Sequence, residues 1–164
     1  MPTLSLVVCG APLATRTDDV VAQAADAGWE VVVTATAAAR LWFSSSGTVS
    51  DRSPRHPDAL LVCPLTFNTA NKWAMGVSDN TGLGLLNEAL GSGIPVVAVP
   101  MVNDTLWRHP VWPVTLAQLT NAGVKLVDPM SGAQKTVPVR SGTGEQVAAS
   151  FDPAWVLRML IPQG

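Results

Sequence analysis

Residues 59–82 read A-L-L-V-C-P-L-T-F-N-T-A-N-K-W-A-M-G-V-S-D-N-T-G, from Ala59 to Gly82. The first five residues form a short apolar run with no polar alternation, the pattern of a strand covered on both faces. Asn, Thr, Asp and Gly follow where further apolar residues would give more stability. Polar groups spent at the carboxyl end of a buried strand are placed to hold something.

Four further runs resemble the first: L-S-L-V-V-C from Leu4, E-V-V-V-T from Glu30, I-P-V-V-A-V from Ile94 and V-K-L-V from Val124. Helix-compatible segments separate them. Thr17 or Asp18 can cap D-D-V-V-A-Q-A-A-D-A-G, in which Val20, Val21, Ala24 and Ala25 recur at helical spacing and Gly28 suits the stop. L-G-L-L-N-E-A-L-G is expected to end at Gly91, and P-V-T-L-A-Q-L-T-N-A-G begins at a proline and stops at Gly123. Strand and helix in alternation predict right-handed crossovers and a single α/β domain over residues 1–164, a three-layer sandwich around a parallel sheet of order 2-1-3-4-5. That order puts a crevice at the carboxyl ends of the strands.

Two segments fit this scheme less well. Ser44 to Asp58 is polar and proline-bearing, as in an exposed loop. Met130 to Pro153 contains G-A-Q-K-T-V-P-V-R-S-G-T-G and is expected to form a hairpin flap over a substrate, after which Asp152 caps a last helix.

Composition narrows the function. The 164 residues are 48% hydrophobic and 13% charged, so the sheet is covered on both faces or some surface is hidden in an oligomer. A net charge of -2 without charge runs gives no footprint for nucleic acid or an anionic membrane. No apolar stretch is long enough to span a bilayer and the N-terminus does not resemble a signal peptide, so a cytoplasmic protein is expected. Cys9 and Cys63 end apolar runs and lack neighbours at metal-ligand spacing, which predicts buried reduced thiols and no metal.

The residues after each strand carry the chemistry. Gly10-Ala11-Pro12-Leu13-Ala14-Thr15 follows the first run and is small enough for close backbone approach to a ligand. Thr34-Ala35-Thr36-Ala37 follows the second and can cradle a phosphate or simply cap a helix. P-M-V-N-D-T-L-W-R-H-P follows the fourth, from Pro100 to Pro110. The chain has neither G-x-G-x-x-G with an acidic residue after the second strand nor G-x-x-x-x-G-K-[ST]. A dinucleotide site and a P-loop are therefore disfavoured, leaving a cofactor with one phosphate and a flat heteroaromatic ring.

Pro64-Leu65-Thr66-Phe67-Asn68-Thr69, with Asn71-Lys72 and Gly76-Val77-Ser78-Asp79-Asn80, resembles the P-A-S-A-N-T, N-K, G-x-x-D-N signature of the homo-oligomeric flavin-containing cysteine decarboxylases. Pro100 to Trp107 resembles that family's P-x-M-N-x-x-M-W. The resemblance implies a flavodoxin-like, Rossmann-like fold binding FMN between the subunits of a homo-oligomer, a trimer or a dodecamer built from trimers. It also implies oxidative decarboxylation of a thiol-bearing small molecule or peptide. Carried over by position, Asn68 and Asn103 contact substrate or flavin, and the cofactor set is Gly10, Ala11, Thr34, Thr36, Thr66, Phe67, Asn68, Thr69, Ser78, Asp79 and Met101.

The sequence also departs from the family pattern. The family's histidine base would fall near Ser50, and this chain has only His56 and His109. His56, in R-H-P-D, is the candidate base, against the plainer reading of a solvated loop residue; His109 follows the second motif. Leu65-Thr66-Phe67 stands where the family keeps Ala-Ser-Ala, which puts bulk beside the ring. Trp73 and Trp107 fit either the flavin pocket or a subunit interface. Lys72 fits a surface charge or a phosphate partner, and Arg140 a carboxylate grip or a solvated hairpin. The alternative function is a flavin-binding relative without decarboxylase activity that has another redox or regulatory role.

Overall fold

The computed structural model of the chain describes residues 1–42 and 56–161. Five parallel strands, β1 (Thr3–Val8), β2 (Glu30–Ala35), β3 (Ala59–Leu65), β4 (Val96–Pro100) and β5 (Lys125–Leu126), form one sheet of order β2-β1-β3-β4-β5. Val7 pairs with Thr34 on one side and with Val62 on the other, so β1 is an interior strand between β2 and β3. The predicted flavodoxin-like topology is the observed one.

The uniformly apolar strands reflect two covered faces. Leu4, Leu6, Val8 and Leu61 pack with α1 (Thr17–Asp26), α6 (Gly144–Ser150) and α7 (Ala154–Leu160). Val7, Leu60, Val62 and Ala98 pack with α2 (Phe67–Ala74), α3 (Thr81–Ser92) and α5 (Trp112–Asn121). Each buried Leu or Val contributes about 1.5–3 kcal/mol relative to exposure. Because side chains alternate along a strand, Val8 and Cys63 serve the first cluster, whereas Cys9 serves the second. The two thiols are thus on opposite faces of the sheet, and both are free.

Helix boundaries show where local signals yield. A 3-10 turn, Pro12–Arg16, runs directly into α1, and Thr17 does not cap it; its hydroxyl donates to the Ala14 carbonyl. α3 passes through Gly91 and stops at Gly93, whose φ of 78° lies in the left-handed region open to glycine. The hairpin expected within 130–153 does not form. Val139 makes a single parallel bridge to Asn103, and α6 follows, because Val139, Val147, Ala148 and Phe151 are drawn into the core. Asp152 accepts from the Ala154 N–H (2.9 Å) at the start of α7. Among the described residues, no helix is long and apolar enough to cross a membrane. Ser50 and most of the 44–58 segment lie outside the described residues.

Candidate functional site

Every strand of a parallel sheet delivers its following residues to the same edge. At that edge the loops after β1, β2, β3 and β4 surround a cavity of about 720 Å³, within the roughly 300–1,000 Å³ of small-molecule sites. Gly10, Ala11 and Pro12 come from β1, and Thr36, Ala37 and Ala38 from β2. Thr66 to Thr69 come from the start of α2, and Met101, Val102 and Asn103 from beyond β4. Gly10 lets the first two loops close up, since a Cβ there would lie 2.6 Å from the Ala38 Cβ.

Local hydrogen bonding explains the polar stretch. The side chain of Thr66 caps α2 by accepting from the Thr69 N–H (3.4 Å), and Asn80 caps α3 by accepting from the Leu83 N–H (2.8 Å). Asn103 caps the short helix α4 (Asp104–Trp107) by accepting from the Leu106 N–H (2.8 Å). Each capping carboxamide spends its oxygen, so the Asn80 and Asn103 NH₂ groups remain as donors beside the cavity. Asn68 is exposed, with no side-chain hydrogen bond among the described residues. The amino ends of α2 and α3 both border the cavity and favour negative charge there.

The walls are apolar. Phe67 stands between His109 (ring centroids 5.6 Å apart, edge-on) and Trp112 (5.5 Å), and Trp107 backs Trp112 at 5.6 Å. His109 is exposed, and its Nδ1 accepts from the Val111 N–H (3.0 Å), so the ring braces Phe67 from outside the lining. Trp42 and Leu106 complete the mouth.

Of the residues assigned by sequence, the cavity gathers Gly10, Ala11, Thr36, Thr66, Phe67, Asn68, Thr69, Met101 and Asn103. Thr34 is outside the lining: it is buried in β2, its hydroxyl without a hydrogen-bond partner among the described residues. Ser78 and Asp79 are also outside it. The Ser78 hydroxyl accepts from Asn87 Nδ2 (2.8 Å), and Asp79 pairs with Lys72 Nζ (2.7 Å). That pairing accounts for Lys72. Trp73 belongs to the core, donating from Nε1 to the Leu86 carbonyl at 3.0 Å.

His56 requires correction. It precedes β3 by three residues, and its neighbour Asp58 pairs with Thr3 at the start of β1. A seven-residue strand rises about 20 Å, so within one chain His56 is at the sheet edge opposite the cavity. Among the described lining residues Arg140 is the one ionisable side chain. Asn80, Trp42 and Pro12 also line the cavity without having been assigned to the cofactor or catalytic set. Asn80 could have been found as the final residue of the first signature, whereas Trp42 carried no signal.

Beneath the site, burial pushes the Cys9 thiol well above its ordinary value, with hydrogen bonds to Thr69 and Thr66 acting against it. Burial likewise raises the Cys63 thiol, and the neighbouring Cys9 adds to the shift. Neither thiol is poised as a nucleophile.

A sequence family described as Flavoprotein matches residues 42–147. The chain belongs to the Flavoprotein family. Among curated relatives of this flavoprotein, mouse phosphopantothenoylcysteine decarboxylase is 36% identical over 69 residues, 42% of this chain and 33% of the relative. The matched stretches span only 18 to 33% of the first such relatives. The fold matches a PPC decarboxylase variant complexed with pantothenoylaminoethenethiol at a TM-score of 0.72 and 17% identity, covering 97% of this chain and 96% of that one. It matches the FMN binding protein AtHal3 at 0.71 and 18%, covering 97% and 94%. These flavoproteins share the observed parallel sheet with its flanking helices.

Proposed function

We propose that this flavoprotein binds FMN in the carboxyl-edge cavity and acts on a thiol-bearing substrate, a cysteine-containing peptide or small cysteine conjugate, by oxidative decarboxylation. The carrying observation is that Thr66–Thr69 and Met101–Asn103, which bear the two family-like signatures, meet at one cavity. The donor set suits the cofactor. Carboxamide NH₂ groups and backbone N–H groups meet a heteroaromatic ring, the amino ends of α2 and α3 favour a phosphate, and Phe67, Met101 and Leu106 offer apolar contact.

FMN, when bound, supplies the two-electron acceptor for oxidation of the thiol-bearing carbon. The chain's residues orient and exclude. Asn68 and Asn103 present carboxamides to substrate or ring, Thr36 and Thr66 present hydroxyls, and the Phe67 wall keeps water from one side. Asn103 is held in place because its oxygen is committed to α4. The working form is a cytoplasmic homo-oligomer, a trimer or a dodecamer built from trimers, an arrangement supported by the apolar composition.

A second reading is favoured by the lack of an imidazole, carboxylate or thiol in the described lining. On it the protein holds the flavin for other redox chemistry or for regulation. Titration with FMN, followed by visible absorption and by carbon dioxide release from cysteine conjugates, separates the readings. A saturable shift of the flavin band with turnover supports decarboxylation; the shift without turnover on any conjugate supports the second reading; no shift sinks both.

A further inference from the structure

The segment after Val139 crosses the mouth of the cavity as a strap anchored at three points. At its start the Val139 N–H donates to the Val102 carbonyl (2.8 Å), beside the bridge to Asn103. The Ser141 hydroxyl then donates to Asp104 Oδ1 (2.8 Å). At the far end Gly144 abuts the turn after β1, so closely that a Cβ there would lie 2.6 Å from Pro12 Cγ.

Between these anchors residues 140–143 close a tight turn. Thr143 donates to the Arg140 carbonyl from both N–H (3.1 Å) and Oγ1 (2.6 Å). Gly142 sits at φ 84°, as the third position of a type II turn requires. The result fixes the backbone of Arg140 at the rim while its guanidinium has no hydrogen bond or ion pair among the described residues. The described lining of the cavity is otherwise uncharged and largely apolar, with Phe67, Leu106 and Val102 on the adjoining wall.

On the flavin-binding reading above, we infer that Arg140 selects the second ligand of this cavity by its carboxylate. That ligand is a monoanionic acid whose apolar body lies against Phe67 and Leu106. The planar guanidinium fork matches a carboxylate in bidentate fashion. A phosphate dianion is a poorer match: among the described residues the rim offers one cation, and the Asp104 carboxylate is hydrogen-bonded to the very next residue, Ser141. The positive helix ends, which suit a phosphate, belong to α2 and α3 instead.

The test is calorimetric titration of FMN-loaded protein, and in parallel of FMN-free protein, with 3-phenylpropionate, its neutral isostere 3-phenylpropanamide, and inorganic phosphate. Wild-type protein is expected to bind the acid at least ten-fold more tightly than the amide. R140Q should remove that preference and leave the amide unchanged, and R140K should restore part of it. Equal binding of acid and amide, no binding of either, an equal loss of both in R140Q, or tighter Arg140-dependent binding of phosphate than of the acid would each overturn the inference. Failure to load FMN would count against the cofactor reading alone, because the FMN-free titrations still report what Arg140 selects.

Discussion

The hydroxyl of Ser141 reaches the carboxylate of Asp104 across 37 positions of sequence, and this one contact joins the strap to the helix that follows the second motif. The same hydrogen bond leads the causes that hold the Asp104 carboxyl below its ordinary range. A carboxyl depressed on folding contributes stability above its ordinary value and loses it as pH falls through the depressed one. Acidification below about pH 4 should therefore release the strap in wild-type protein. Hydrogen exchange of residues 139–143 measured from pH 6 to pH 3 should show this acid-side rise in wild type. S141A should already be fast at pH 6 and change little; parallel profiles for the two proteins would refute the coupling.

Gly10→Ala places a methyl group against Ala38, 2.6 Å from its Cβ and 2.8 Å from its carbonyl carbon. Backbone cannot swing aside as a flexible side chain can. Overpacking of this kind costs roughly 1–3 kcal/mol, and the two loops that must separate both line the cavity. G10A should melt several degrees lower and bind FMN at least ten-fold more weakly, as read by thermal unfolding and by titration of flavin absorbance. Unchanged FMN affinity would remove these loops from the binding site.

Phe67→Ala deletes a wall held by Trp112 and His109. The ring is half-buried, so the loss should fall below the 3–5 kcal/mol of a fully buried Phe, at about 2 kcal/mol. Denaturant unfolding reads the stability, and a panel of thiols of increasing bulk reads the specificity. F67A should accept bulkier conjugates than wild type; an unchanged size preference would make Phe67 a packing residue only.

The buried thiols give a signature at the alkaline end. Both have folded values raised above the ordinary thiol range, so their contribution is intact below about pH 8.5 and declines as pH rises beyond it, by at most about 1.4 kcal/mol per pH unit for each thiol. Native protein at pH 8 should resist an aromatic disulfide reagent, and both thiols should react once denaturant is added. Rapid labelling of native protein would contradict the burial.

Much of this architecture is written in local pattern. The β-branched runs at Leu4, Glu30, Ala59 and Ile94 mark strands because two covered faces demand apolar residues without alternation, and Gly28 and Gly123 end helices at positive φ as expected. Strand-edge logic also leads to Gly10, Thr36, Asn68 and Asn103, since a parallel sheet delivers its loops to one rim. Other features depend on tertiary context. α2 hides in F-N-T-A-N-K-W-A because its buried positions, Thr69, Ala70 and Trp73, are too few to show a clear stripe. Thr34 and Thr36 look alike in sequence, yet Thr34 is still inside β2 and buried, whereas Thr36 lies just past the strand's end and reaches the cavity. His56 is close to the motif in sequence but a full strand length away in space. The strap was unreadable as such, because its shape comes from a bridge to Asn103, a hydroxyl contact to Asp104 and the press of Gly144 on Pro12.

The place of β1 in the sheet has a consequence for biosynthesis. Its two partners, Glu30–Ala35 and Ala59–Leu65, are both translated after it. While the chain is on the ribosome, residues 3–8 emerge with both hydrogen-bonding edges open, and the second edge stays open until residue 65 has cleared the exit tunnel. The nascent protein thus passes through an interval in which this largely apolar strand can template aggregation, and slowing translation after residue 35 should increase its dependence on chaperones.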